Sequence, residues 1–136
     1  MAVSEYVWQT ATHDSVRSCV KWCLNQFNLR DWQVDVVTGD DPPPQIKDEK
    51  KVQGKVVVWD NQLKALIWIP LARQKKENHN VYETVIHEML HVLVLGLSPA
   101  SKQVSELVSY RLEAPLYRLF CKDTKRQVSD ERPQIE

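Results

Sequence analysis

The chain is 136 residues long, with 43% apolar and 26% charged residues and a formal net charge of zero. These values fit one ordinary globular domain with a modest core. They leave no basic field for nucleic acid, no apolar run of the roughly 18 residues a membrane-spanning helix needs, and, with an odd three cysteines, no disulfide scaffold.

A reducing, cytoplasmic compartment is therefore expected, and Met1 to Tyr6 lacks the basic start and apolar core of a signal peptide. Glu5 to Thr10 reads as a short strand or an extended lead-in. Thr12 or Asp14 can cap a helix that runs to about Asn28, with Val16, Cys19, Val20, Cys23, Leu24 and Phe27 at helical spacing. That apolar face is expected to pack on a sheet. Cys19 and Cys23, one turn apart on it, read as small core residues rather than as metal ligands.

Trp32 to Val36 alternates with period two and reads as a half-buried strand. Pro42-Pro43-Pro44 favours an extended loop, which Asp48-Glu49-Lys50-Lys51 continues as a solvated excursion. Val52 to Trp59 and Leu63 to Ile69 read as two strands of a hairpin, joined by Asp60-Asn61-Gln62. Arg73 to Asn78 reads as a charged, exposed connection, and His79 as a surface residue.

Asn80 can cap the next helix, with Glu83 completing a variant of the capping box. Gly96 is a good C-cap residue, with Pro99 just beyond. Between them lies Thr84-Val85-Ile86-His87-Glu88-Met89-Leu90-His91-Val92-Leu93, an apolar run without Pro or Gly that reads as a buried helix. His87 and His91 are one turn apart on one face, so their ring nitrogens can converge on one Zn²⁺ at about 2.0–2.1 Å. Glu88 flanks that position. There a carboxylate can take a proton from a metal-bound water whose pKa has dropped toward about 7, and return it to a leaving amine. Burying three unpartnered polar side chains costs about 1–3 kcal/mol each, and a metal with its water would satisfy all three. The alternative is a core helix whose His residues bond to neighbours.

His87-Glu88-Met89-Leu90-His91 on an apolar helix resembles the zincin metallopeptidases. The metzincin branch adds Gly and His at positions occupied here by Val94 and Leu97, so the likeness is not to that branch. The closest likeness is to short gluzincin-like peptidases of the phage and prophage type, over roughly residues 13–120 in element order. The resemblance implies a third ligand, a Glu on a following helix, and a sheet edge that pairs with substrate. Ala65–Ile69 is the strand expected to offer that edge, since unpaired N–H and C=O groups can accept a peptide as an added strand.

Ser98 or Ser101 starts the last helix, with Val104, Leu107, Val108, Leu112 and Leu116 as its expected core stripe. Glu106, Tyr110 and Glu113 share the other face. Pro115 is expected to kink or end the helix near Arg111–Glu113. If the helix returns antiparallel, Glu106 lies at the depth of His91 and Glu113 about 10 Å further on, past His87. Glu106 is therefore the preferred third ligand. The spacing to Glu113 resembles that of longer gluzincins more closely. Tyr110 is a candidate second oxyanion donor, with packing as its alternative role.

The resulting expectation is one α+β domain over residues 1–121 with a polar tail over 122–136. Its sheet should be small, of three or four mostly antiparallel strands, backed by helices. The expected activity is zinc-dependent peptide hydrolysis on a peptide or protein substrate. His87, His91 and Glu106 hold the metal, Glu88 is the general base, and neither nucleic acid nor membrane is a partner. A monomer is expected. The alternative is a structural or interaction protein of zincin-like fold without hydrolytic activity, whose zinc is structural, in a closed four-ligand site, or absent.

Overall fold

The computed structural model describes residues 7–47, 52–97 and 102–124. Expectations for Met1 to Tyr6, the Asp48–Lys51 charge run, the Ser98 or Ser101 helix start and residues 125–136 lie outside the described residues. Val7–Thr10 is a 3-10 turn and not a strand, closed by a 3.1 Å bond from the Ala11 amide to the Trp8 carbonyl. Helix α1 (His13–Gln26) starts at Thr12, whose hydroxyl accepts from the Ser15 amide while the Ser15 hydroxyl accepts from the Thr12 amide. This reciprocal cap fixes the first turn.

Among the described residues, three strands form the sheet: β1 (Gln33–Val37), β2 (Lys55–Trp59) and β3 (Lys64–Trp68), in the order β1-β3-β2. β2 and β3 form the expected antiparallel hairpin, with Lys55 opposite Trp68 and Trp59 opposite Lys64. β1 pairs with β3 in parallel, Gln33 opposite Lys64. The sheet is therefore mixed rather than mostly antiparallel. The long connection after β1 carries the chain past one strand position, and the hairpin then returns β3 into the gap. This placement also explains why Ala65–Ile69 is a continuous apolar run. Ala65, Ile67 and Ile69 face the main core, while Leu66 and Trp68 face a second cluster with Ile46. A strand buried on both faces has no polar side to alternate with.

The triple-proline loop is not wholly a solvated excursion. Ile46 is buried on the outer face of the sheet, and the Trp68 indole donates to the Gly39 carbonyl at 2.7 Å. The charged connection after β3 contains a short helix, α2 (Leu71–Lys76), with Gln74 fully buried.

Helix α3 (Val81–Leu97) runs through the main core. Its first turn is capped by the Asn80 side chain, which accepts from the Glu83 amide at 3.2 Å. Val81, Tyr82, Val85, Ile86, Met89, Leu90 and Val92 are all buried, which accounts for a helix apolar nearly all round. α1 packs mainly on α3, with a smaller contact to the sheet at β1. Gly96 lies inside α3, not beyond its end, and no glycine has positive φ. Its role is close approach, since a Cβ there would sit 2.8 Å from the Trp32 ring.

Helix α4 (Lys102–Thr124) packs along α3 and continues through Pro115, passing the expected boundary at residue 121. Arg111 and Pro115 are both exposed. The carbonyl that Pro115 leaves without a donor therefore faces solvent, where water can satisfy it. The expected apolar stripe is largely the wrong face, with Val104, Leu107 and Leu112 exposed. α4 instead buries Ser105, Ser109, Tyr117, Phe120 and Cys121. Small serines let its first half approach α3 closely, and aromatic packing holds its second half. Among the described residues, no helix is long and apolar enough to cross a membrane.

Candidate metal centre

α3 floors a cleft of about 690 Å³, with the lead-in and start of β2 on one side and α4 on the other. α3 contributes His87, Glu88 and His91 to it, and α4 contributes Ser105, Glu106, Tyr110 and Glu113. The Nε2 atoms of His87 and His91 face each other at 3.2 Å. A Glu106 oxygen lies 2.5 Å from the His91 Nε2 and 3.6 Å from the His87 Nε2. These three side chains form the metal-capable group among the described residues.

A tetrahedral zinc with ligands at about 2.0–2.1 Å separates its donor atoms by about 3.3 Å. The 3.2 and 3.6 Å edges fit that tetrahedron. The 2.5 Å edge is a hydrogen bond and must open by roughly 1 Å for zinc to fit. Glu106 can make that move, because its side chain is 51% exposed and long.

The outer nitrogens of both imidazoles are held. Glu113 accepts from the His87 Nδ1 at 2.7 Å, which puts the ring proton there and leaves the Nε2 lone pair facing the centre. The Ser105 hydroxyl, fully buried, lies 2.5 Å from the His91 Nδ1. Partners of this kind fix the tautomer and orientation of a ligating imidazole. Glu113 thus does not lie past His87 beside a broken helix. It reaches back to the ring, while Glu106 reaches the inner nitrogens. Tyr110 is 67% exposed and meets the His87 ring edge-on at 5.0 Å, so it packs on little else.

Compared with family models, curated proteins and solved structures, the chain gives no match. The site is read from its own geometry.

Glu88 is buried, and among the described residues nothing hydrogen-bonds its carboxylate. Burial pushes its pKa up from 4.5 to about 7, against the pull of the neighbouring His87 charge. Burial alone would lower the pKa of His87. The Glu113 hydrogen bond and the charges of Glu88, Glu113 and Glu106 outweigh it, and the net shift is upward. His91 moves down, through burial and then the charge of His87, with Glu106 opposing. A carboxyl near 7 at the floor of this cleft is a group poised to exchange protons at neutral pH.

β3 lies between β1 and β2, so Ala65–Ile69 offers no free edge. The edge at the cleft belongs to β2 and the residues leading into it, Val52–Val56. Gly54 lets this wall approach α3, because a Cβ there would sit 2.9 Å from the Thr84 methyl. His79 is half exposed at the cleft wall, 3.8 Å from Glu77. Cys19 and Cys23 are buried thiols in the core, outside the cleft lining. Ser105 and the His87-bonding role of Glu113 were not legible from periodicity. The one signal was a pair of serines, 105 and 109, on a face otherwise made of long side chains.

Proposed function

We propose that the protein is a zinc-dependent peptidase of zincin-like architecture, with His87, His91 and Glu106 as ligands. The observation that carries this reading is the convergence of two imidazole nitrogens and a carboxylate beside a buried Glu88. Bound zinc would supply a Lewis acid for the scissile carbonyl and lower the pKa of the attacking water. Glu113 and Ser105 keep the two imidazoles oriented, with their Nε2 atoms inward.

Glu88 takes the proton of the attacking water as the C–O bond forms, then passes it to the amine nitrogen as the C–N bond breaks. Burial supports that role, since it raises the carboxyl's affinity for a proton above that of a solvated carboxylate. An extended substrate would lie along the free edge at Val52–Val56, pairing its backbone with β2. Three protein donors in an open cleft support this reading over a closed structural site, which needs a fourth. A peptide or protein substrate, a cytoplasmic setting and a monomeric state belong to the same proposal.

The test is Glu88→Gln. The variant is expected to retain zinc and lose casein hydrolysis by two or more orders of magnitude. Hydrolysis near the wild-type rate would refute the proton-transfer role.

A further inference from the structure

We propose that Arg73 and Gln74 of α2 are positioning residues that fix the cleft edge leading into β2, and with it the seat of an extended substrate. The inference rests on the peptidase reading above. Val52, Gln53 and Gly54 line the cleft, but the β2–β3 ladder begins only at Lys55 opposite Trp68. Side chains of α2 and the residue after it hold this stretch instead. Arg73 donates to the Val52 carbonyl at 2.9 Å, and the Gln74 amide donates to the Gln53 carbonyl. Glu77 accepts from the Gln53 side chain at 2.5 Å.

Gln74 does more than anchor the edge. It is fully buried, and its Oε1 lies 3.4 Å from the Thr84 hydroxyl, which also donates to the Asn80 carbonyl at 3.1 Å. Thr84 lies one turn before His87 and Glu88 on α3, and its methyl group is the one that Gly54 abuts. One buried amide therefore lies between the edge segment and the helix carrying the candidate ligands, beside the close approach of Gly54 to Thr84. A buried amide is costly unless it is bonded; here the NH2 end is held by the Gln53 carbonyl and the oxygen end shares the Thr84 hydroxyl with the Asn80 carbonyl. Strand addition depends on an interstrand spacing of about 4.8 Å. A displacement of about 1 Å at the edge would spoil substrate placement without touching the metal group.

The test compares two chelating probes on zinc-loaded, full-length protein. Acetohydroxamate needs only the metal group, whereas a tripeptide hydroxamate adds an extended backbone. The wild type is expected to bind the tripeptide probe more tightly. Gln74→Met is expected to weaken that probe about tenfold, as for the loss of one to two hydrogen bonds. Acetohydroxamate affinity and zinc content should stay unchanged. Arg73→Met, which leaves Gln74 in place, is expected to act in the same direction by a smaller factor. The proposal is overturned if both probes weaken together, or if neither variant changes either. A wild type that gains nothing from the tripeptide overturns it too, while leaving the metal site standing. A wild type that binds neither probe overturns the peptidase reading itself.

Discussion

Replacing Glu88 by Gln should change how the stability of the zinc-free protein depends on pH. The folded carboxyl has its pKa raised from 4.5 to about 7, chiefly by burial. For a carboxyl raised on folding, the stabilising contribution is full below the unfolded value and is lost as pH rises through the folded one. At about 1.4 kcal/mol per pH unit, ionised Glu88 at pH 8 costs the folded state on the order of 3 kcal/mol. Gln keeps the shape and removes the charge. The zinc-free variant is thus expected to be more stable than zinc-free wild type at pH 8 by up to about 3 kcal/mol. The gap should shrink as pH falls through about 7 and close near 4.5. Urea unfolding after chelation, repeated from pH 4.5 to 8.5, measures it directly. A gap that is constant with pH, or a variant less stable at pH 8, would refute the burial argument. With zinc bound the gap should narrow, because a nearby dication favours the ionised carboxyl.

Further expectations follow from the centre and its supports. Glu106→Ala should lose zinc affinity by far more than Glu113→Ala or Ser105→Ala, whose losses should fall in the range of about 10–100-fold expected for an orienting partner; a chelator competition ranks them, and a larger loss in Glu113→Ala would reverse the assignment. Gly96→Ala should destabilise by about 1–3 kcal/mol, because its Cβ would press on the rigid Trp32 ring at 2.8 Å; an unchanged melting temperature would show that the ring gives way. Thr12→Ala should cost roughly 0.5–2 kcal/mol by removing the reciprocal cap of α1, and a neutral result in urea unfolding would count against it.

The sequence makes α3 legible because three polar residues interrupt a run that is otherwise apolar, and nothing else in the chain looks like it. The hairpin is legible from β-branched runs around Asp60-Asn61-Gln62. Strand order is not, because it depends on how far the loop after β1 travels, and composition does not encode that distance. The error moved the free edge from β2 to Ala65–Ile69. α4 was misread for a different reason. Its strongest apolar periodicity, Val104, Leu107 and Leu112, faces solvent, while Ser105 and Ser109 are buried and Ser105 lines the site. Hydrophobic spacing locates a core-facing stripe only where packing is what orients the helix. The separate placements of Glu106 and Glu113 depend on side-chain reach across two packed helices, which a one-dimensional period cannot give.

The account stands most directly on metal content. Protein purified without added zinc, then analysed for metals by mass spectrometry, is expected to carry about one zinc per chain, and His91→Ala is expected to carry almost none. Wild-type protein that holds far less than half an equivalent and takes up none when zinc is added would contradict it.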